Sequence, residues 1–332
     1  MSVPSHVFDQ TVAALFAPVG PFLEGDEVSE IMINGHKEIY VERSGRLYLT
    51  GSRFASEHAL MSALRNLSQF VGRELNPRQP ILEARLPDGS RVEAIIPPAA
   101  SSGPVVCIRR FRRKQLTLNR LVELGTITRD VGVLLRTILA RRDNVIVAGG
   151  SGSGKTSLLN VLASLAPDDE RVVVIEDSQE LQLGLSHVVH LEAQPADVRG
   201  RGGVTIRKLL RATLRMRPDR IVIGEIRGGE ALDLIQAMTS GHRGCLSTVH
   251  ATLPFDTLSR LETMALMSDV DVPLNVLRPQ IASAVDTIVQ VSRCSDGSRY
   301  VTHVTEVLGY DPENGYRINH LFERPTESGR RE

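Results

Sequence analysis

Residues 144–156 read NVIVAGGSGSGKT, an apolar strand that leads through a glycine-rich turn into the start of a helix. Within this stretch, residues 149–156 match the phosphate-loop pattern G-x-x-x-x-G-K-[ST]. The glycines of such a loop let successive backbone N–H groups surround phosphate oxygens, and the helix dipole adds positive partial charge. Lys155 would contact the β- and γ-phosphates, and the Thr156 hydroxyl would ligate Mg²⁺. The stretch therefore predicts a binding site for ATP or a related nucleoside triphosphate.

The loop contributes most of the residues that we expect to hold the nucleotide. These are Gly150, Ser151, Gly152, Ser153, Gly154, Lys155, Thr156 and Ser157. A dinucleotide-binding fingerprint is the alternative interpretation of a glycine-rich turn after a strand. It is disfavoured because Lys155 occupies the position where the third glycine of that fingerprint would stand.

The composition limits the kinds of protein that the chain can be. Its 332 residues suffice for two domains with large cores. Basic and acidic residues balance at 39 each, so the bulk charge predicts no direct contact with nucleic acid. No apolar run reaches the roughly eighteen residues that a membrane-spanning helix needs. Three separated cysteines, Cys107, Cys245 and Cys294, are typical of a reducing compartment, so we expect a cytoplasmic protein.

The first part of the chain has the pattern of a small α+β domain over residues 1–111. A short helix is predicted at residues 7–17, and Ser56 is placed to cap a longer helix that runs to residue 71. Alternating apolar residues, interrupted by the turn pairs Asn34-Gly35 and Asp88-Gly89, predict the strands. The predicted strands cover residues 30–34, 38–42, 47–50, 83–86, 91–96 and 105–111. Because this domain has no acid–base cluster, we interpret it as an accessory or docking module.

A basic run follows the first domain, and we assign residues 112–125 to a basic linker. Three interpretations of the run stay open at this point. The run can be a solvated linker, or one or two of its arginines can contact the nucleotide phosphates. The third interpretation is nucleic-acid binding, for which one short basic run is a weak indication. Its members are Arg109, Arg110, Arg112, Arg113 and Lys114.

Helices and strands alternate in residues 126–332, which predicts an α/β domain with a parallel sheet. The run RVVVIED at residues 171–177 is a buried strand that delivers Glu176 and Asp177 at its carboxyl end, where ligands of such sheets bind. Residues 182–204 are predicted to be irregular. Residues 283–292 and 300–307 are predicted to be peripheral strands around an Asp296-Gly297 turn.

The sequence of this domain also predicts where helices begin, and one of these helices carries a row of arginines. Thr128 and Thr205 are placed to cap helices, and a short helix is expected over residues 117–124. The helix that starts at Thr205 carries arginine at every fourth position. Such a row is usually only solvated, although this one leads directly into the next motif. The row consists of Arg207, Arg211 and Arg215.

Two further polar side chains follow predicted strands. Residues 219–225, DRIVIGE, predict a strand, adjacent to that of the phosphate loop, with Glu225 at its end. In phosphate-loop ATPases an acid there aims the attacking water and partly deprotonates it, so we predict this role for Glu225. His250 ends the strand at residues 245–249. It is either a sensor hydrogen-bonded to the γ-phosphate or a core histidine, and its position in the sequence leaves both interpretations open.

In combination these motifs resemble the secretion ATPase superfamily that powers type II secretion, type IV pili and type IV secretion. Its boxes are matched, in chain order, by GGSGSGKT, VVVIEDSQEL, LRMRPDRIVIGEIRG and GHRGCLSTVHA. Its N-terminal half is matched by EIMING, IYVERSGRL, ARLPDGSRV and VVCIRRF, so that the likeness covers about residues 25–325. RPDRIVIGEIRGGEALDLIQAM and ASAVDTIVQ with its DGSR turn are similar to the tight-adherence (Flp) pilus ATPases, the TadA/CpaF group. The sequence has no zinc-binding cysteine quartet, which disfavours the type II secretion and pilus-extension branches.

The resemblance implies a hexameric ring of two-domain subunits with a RecA-like C-terminal domain, and ATP bound between the two domains. By the same likeness, Glu225 would be the catalytic base or water-orienting residue, and His250 would be a coupling sensor. Glu176 and Asp177 would support the water and Mg²⁺. The arginines implied to reach the γ-phosphate are Arg109 and Arg110, along with Arg215 or Arg217.

The expected function is that of a cytoplasmic motor, peripherally associated with the inner membrane. It would couple ATP hydrolysis to assembly of a type IV (Flp/Tad) pilus, or to type II/IV protein secretion, through a membrane platform protein. One alternative is a conjugative or effector-export type IV secretion ATPase. A second is a nucleotide-dependent regulatory module with little turnover. A nucleic-acid helicase is a weaker alternative, because the balanced net charge argues against it.

Overall fold

A computed structural model describes residues 14–24, 27–43, 45–86, 88–110, 116–194, 196, 201–294 and 296–325. The chain divides into two compact units, Met1–Lys114 and Gln115–Glu332. Most of the helix predicted at residues 7–17 and the basic residues 112–114 lie outside the described residues, as do residues 195 and 197–200 of the predicted irregular segment. Among the helices that the structure describes, none is both long and apolar enough to cross a bilayer.

The first unit is built on an antiparallel sheet with the strand order β3-β2-β1-β6-β5-β4. Ser56 caps the long helix as predicted, since its Oγ accepts a hydrogen bond from the Ala59 N–H at 3.1 Å. That helix packs Leu60, Leu64 and Leu67 into the core of the unit. The elements are a 3₁₀ helix (Ala17–Val19), α1 (Gly20–Leu23), β1 (Val28–Asn34), β2 (Glu38–Arg43), β3 (Arg46–Leu49), α2 (Glu57–Phe70), β4 (Ile81–Arg85), β5 (Arg91–Ile95) and β6 (Val105–Arg109).

The second unit alternates helices and strands, as predicted. Thr117, Thr128 and Thr205 cap helices, because each side chain accepts a hydrogen bond from the backbone N–H three residues later. The elements are α3 (Leu118–Glu123), α4 (Arg129–Ala140), β7 (Val145–Gly149), α5 (Lys155–Ala163), β8 (Val172–Glu176), β9 (Val188–Glu192), α6 (Ile206–Thr213), β10 (Arg220–Ile223), α7 (Glu230–Thr239), β11 (Leu246–His250), α8 (Pro254–Leu266), α9 (Leu274–Ala284), β12 (Thr287–Arg293), β13 (Arg299–Asp311) and β14 (Gly315–Glu323).

The sheet of the second unit has the order β14-β13-β12-β7-β11-β10-β8-β9. The strands from β12 to β9 run parallel, and β13 and β14 add an antiparallel edge. One face is covered by α6 to α9 and the other by α3 to α5. This is the mixed α/β, RecA-like fold that was predicted, with the carboxyl ends of the parallel strands at one edge.

Several elements differ from the sequence predictions. The segment predicted to be irregular contains β9, a short, half-buried strand at the end of the parallel sheet. The prediction of a peripheral strand at residues 283–292 is wrong, because β12 is buried and pairs directly with β7. Residues 118–123, assigned to the linker, form α3, which packs Leu118 and Leu121 into the core of the second unit.

Candidate active site

The phosphate loop connects β7 to α5. Gly152 and Gly154 have φ values of 67° and 97°, in the left-handed region that side chains disfavour. Gly149 is required for a different reason. A Cβ at this position would lie 2.3 Å from the Val291 carbonyl oxygen and 2.5 Å from Ser153 Oγ. The shape of the loop therefore depends on glycine at all three positions.

Lys155 lies at the centre of the loop and is only 7% exposed. Its ammonium donates a hydrogen bond to the Gly150 carbonyl oxygen at 2.9 Å and lies 3.2 Å from His250 Nδ1. The Ser153 hydroxyl donates to the same carbonyl oxygen at 2.9 Å. The loop thus holds a partnered cation where phosphates would bind. Thr156 is half-buried, whereas the exposed loop members are Gly150, Ser151, Gly152 and Ser157.

His250 lies directly beside the phosphate loop, because β11 pairs with β7 and places His250 opposite Gly149. The imidazole Nε2 is 2.8 Å from Glu225 Oε1. The prediction that the Glu225 strand is adjacent to the phosphate-loop strand is wrong, since β11 lies between β10 and β7. His250 spans this gap, so that Lys155, His250 and Glu225 form one continuous row of contacts.

The electrostatics of His250 follow from this row. Burial lowers the pKa of the imidazole, and the positive charge of Lys155 lowers it further, whereas Glu225 opposes both effects. The imidazole is therefore neutral near pH 7. With the Lys155 ammonium donating to Nδ1, the proton of the neutral ring belongs on Nε2, facing Glu225. Because the side chain is 45% exposed, the alternative of a core histidine is excluded.

Arg227 is a member of the site that the sequence analysis missed. Its Nη2 donates to Glu225 Oε2 at 2.6 Å, and its Nη1 lies 3.4 Å from Asp177 Oδ2. One guanidinium thus links Glu225, which follows β10, to Asp177, which follows β8. The available signal was the basic residue directly after the strand-terminal acid in GEIR.

Glu176 ends β8 and is 3% exposed. Its Oε1 accepts hydrogen bonds from the backbone N–H groups of Glu180 and Leu181, at 2.9 and 3.0 Å. Burial raises the pKa of this carboxyl to about 7, against the lowering effect of the two hydrogen bonds. One oxygen of Glu176 therefore holds the segment after β8, and the group titrates close to neutral pH. Its predicted support of the attacking water stays a prediction.

The raised pKa of Glu176 predicts a pH-dependent gain in stability for the Glu176→Gln variant. As pH rises from 4.5 toward about 7, the unfolded chain releases this proton while the folded protein retains it, so the carboxyl increasingly destabilises the fold. Glutamine has no charge to bury, and its side-chain oxygen can still accept the hydrogen bonds from the backbone N–H groups of Glu180 and Leu181. We expect the variant to be more stable by about 3 kcal/mol at pH 8 and by roughly half as much at pH 5.5.

Urea unfolding of the wild-type and variant proteins at both pH values measures this difference. A Glu313→Gln variant, which changes an exposed acid, is the control. A gain of equal size at pH 5.5 and pH 8 would contradict the titration of Glu176.

Two arginines of the row before β10 form ion pairs with one acid, so the row is more than a solvated face. Arg207 Nε and Arg211 Nε contact the buried carboxylate of Asp233 at 2.5 and 2.6 Å. Arg215 and Arg217 are exposed and precede the amino end of β10, whereas Glu225 follows its carboxyl end. The structure therefore does not bring these two arginines to the phosphate loop of their own chain.

Arg109 and Arg110 lie at the end of β6, the last strand of the first unit. Arg109 is the last residue of β6 and is exposed. Arg110 Nη2 donates a hydrogen bond to the Leu23 carbonyl oxygen at 2.6 Å, which connects the end of β6 to the end of α1. Their predicted approach to the γ-phosphate stays a prediction.

An acid can act on water beside a phosphate loop only if both lie at one edge of the sheet, and here they do. Together with the RecA-like fold, this arrangement makes the protein a phosphate-loop ATPase. The chain belongs to the type II/IV secretion system protein family, whose model matches residues 13–323.

Individual relatives support this assignment. The chain is 34% identical over 290 residues to a putative conjugal transfer protein of Mycobacterium tuberculosis. This alignment covers 86% of the chain and 82% of the relative. It is 34% identical over 301 residues to the type IV secretion system protein PtlH of Bordetella pertussis, covering 82% and 88% of the two chains. The solved structure of the ATPase DotB from Yersinia pseudotuberculosis matches with a TM-score of 0.62 and 17% identity over 94% of this chain and 81% of that one. At this identity the last similarity concerns the fold alone.

Proposed function

We propose that the protein is a hexameric motor that couples ATP hydrolysis to transport through a type IV secretion machine at the inner membrane. The observation that carries the proposal is the row of contacts from Lys155 through His250 to Glu225. In this row a phosphate-binding cation and a strand-terminal acid are connected by one imidazole. A change in the contacts of Lys155 with the phosphates can therefore alter the position of Glu225 directly, through His250.

In this proposal each member of the row has a separate task. Lys155 holds the β- and γ-phosphates through charge-assisted hydrogen bonds. Glu225 orients a water molecule and accepts its proton. His250 responds when the Lys155 ammonium turns from its Nδ1 to the phosphates. Arg227 holds the Glu225 carboxylate in position through its hydrogen bond to Oε2.

The hydroxyl and carboxylate oxygens at this edge fit Mg²⁺, which prefers hard oxygen ligands and would neutralise charge on the phosphates. We propose the Thr156 hydroxyl as a ligand of the ion and Asp177 as a supporting carboxylate. Glu176 is proposed to hold the segment that follows β8, because its Oε1 accepts two backbone hydrogen bonds there. Arg215 and Arg217 lie at the opposite edge of the sheet, so in a ring they would serve the nucleotide of another subunit. The contacts of Arg109 and Arg110 with nucleotide stay predictions.

The transported cargo is inferred from the relatives. Their names refer to conjugal transfer and to type IV secretion, which favours export of a macromolecule over pilus assembly. The Flp pilus is the second candidate, and it is favoured by the stretch RPDRIVIGEIRGGEALDLIQAM, which resembles the tight-adherence group. Either task places the motor at the cytoplasmic face of the membrane, against a platform protein.

Ring assembly provides the test of this proposal. If subunits complete one another's sites, phosphate release per subunit should rise with protein concentration and level off when the hexamer forms. Steady-state hydrolysis, measured in parallel with molar mass by light scattering, follows both quantities. Activity that is independent of concentration in a monomeric protein would contradict the motor. Identification of the membrane protein cross-linked to the chain in its own cells then distinguishes secretion from pilus assembly.

A further inference from the structure

A β-hairpin that contains none of the residues expected to bind nucleotide contacts the phosphate loop. It consists of the end of β12, the connecting turn with residues 294 and 296–298, and the start of β13. Arg293 and Arg299 stand directly opposite each other in the register of the two strands. Arg299 Nε donates a hydrogen bond to the Gly152 carbonyl oxygen at 3.0 Å. The hairpin therefore contacts the loop on the side of β7 away from β11, His250 and Glu225.

The side chains of Arg299 and Arg293 pack closely against two glycines of the loop. A Cβ added to Gly154 would lie 3.1 Å from Arg299 Cδ, and a Cβ added to Gly152 would lie 3.2 Å from Arg293 Nη1. Both glycines also have the positive φ values that define the loop. The arginines thus pack against the two residues whose backbone shape the phosphates require.

The hairpin is built to hold these arginines in place. The Asp296 carboxylate accepts hydrogen bonds from the backbone N–H and the hydroxyl of Ser298. The Cys294 N–H donates to the Ser298 carbonyl oxygen at 2.9 Å, which closes the turn. Two like charges directly opposite each other in a β-ladder are unfavourable. With Asp296 as the only acid in RCSDGSR, the hairpin keeps a net positive charge beside the phosphate loop.

The hydrogen bond to Gly152 has a chemical consequence for the next residue. The carbonyl of Gly152 and the N–H of Ser153 belong to one planar peptide unit and point in opposite directions. A guanidinium that binds the carbonyl polarises the unit and makes the Ser153 N–H a stronger donor. In the structure this N–H makes only a long contact of 3.4 Å with the Gly150 carbonyl oxygen. It can therefore turn to a phosphate oxygen at little cost.

We propose that Arg299 is a positioning residue of the nucleotide site, which acts through the Gly152–Ser153 peptide to strengthen phosphate binding, and that Arg293 adds positive charge to the same side. The inference rests on the proposed nucleotide site. In this inference, the hairpin increases the affinity of the site for nucleoside di- and triphosphates. It takes no part in the chemical step at Glu225.

The test compares Arg299→Ala and Arg299→Lys with the wild-type full-length protein, by titration with a fluorescent ADP analogue and by steady-state hydrolysis. Loss of the contact should weaken ADP binding about tenfold, as for one charge-assisted hydrogen bond, and raise KM with little change in kcat. The lysine variant should recover part of the affinity. Arg317→Ala, on β14, removes an exposed arginine of the same unit and should bind ADP as the wild-type protein does.

The outcomes separate this inference from the proposed function. No binding of ADP by the wild-type protein would refute the nucleotide site itself. Normal binding by the wild-type protein and by Arg299→Ala would refute the role of Arg299 alone. A fall in kcat with unchanged KM in Arg299→Ala, or a loss of thermal stability that Arg299→Lys does not recover, would also refute positioning through the loop.

Discussion

A Glu225→Gln variant is expected to release phosphate at less than about one hundredth of the wild-type rate, while it still binds ATP. Glutamine keeps the shape of the side chain and an oxygen for Arg227, which now contacts Glu225 Oε2 at 2.6 Å. It cannot take a proton from water. Removal of a negative charge near the phosphates should leave ATP affinity equal or higher. Single-turnover phosphate release and ATP binding, measured on the same preparation, check the two parts separately.

A control for this variant is available on the same segment. Glu230 also carries a carboxylate, and its Oε1 accepts hydrogen bonds from the backbone N–H groups of Arg227 and Gly228 at 2.8 and 2.9 Å. Glu230→Gln makes the same change of charge and keeps the acceptor oxygen, so hydrolysis should change little. Hydrolysis that survives in Glu225→Gln would remove the acid from the mechanism. Loss of ATP binding in that variant would mean that Glu225 maintains the site instead of acting in catalysis.

The second large effect is expected for Lys155→Ala, which should weaken ATP binding by about a hundredfold or more. The ammonium is buried, and its partners at Gly150 and His250 hold it where the phosphates would replace them. Lys208→Ala is the matched control. The Lys208 ammonium donates to the Gly203 carbonyl oxygen at 2.9 Å on the exposed surface of α6. Equilibrium titration with ATP measures both variants, and equal affinities would exclude Lys155 from the site.

The same variant tests the contact between Lys155 and His250. Burial is the largest cause of the lowered pKa of His250, and the charge of Lys155 is the next. Without this charge, Glu225 remains beside the ring, so the pKa of His250 should rise in Lys155→Ala. Histidine resonances followed by NMR across pH 5 to 8 report this change. An unchanged titration of His250 would show that the row of contacts does not exist in solution.

Much of the candidate site was predictable because its signals are local. The phosphate-loop pattern, the acids after apolar runs and the threonine caps can each be recognised within a few consecutive residues. These features predicted Lys155, Glu225 and His250 as members of the site. Strand β9 was missed because it is only half-buried, so its five residues lack the fully apolar run that marks β8 and β10.

Strand β12 illustrates a different limit. Its apolar run was recognised, but the Asp296-Gly297 turn after it suggested an outer hairpin. The absence of alternation in Ile288, Val289 and Val291 was the available sign of burial on both faces of a parallel sheet. A turn signal specifies only how two consecutive strands connect. It does not specify which strand from elsewhere in the chain pairs with them.

The sequence by itself determined the kind of chemistry, since the phosphate loop and its carboxylates are encoded in short stretches with defined spacing. Only the tertiary structure decided how they meet. The order of the strands places His250 between Lys155 and Glu225, and it brings Arg227 to Asp177 and Arg299 to Gly152. Strand order follows from the burial of whole faces of the sheet by helices distant in the chain. That burial is a property of the complete fold, and no local pattern records it.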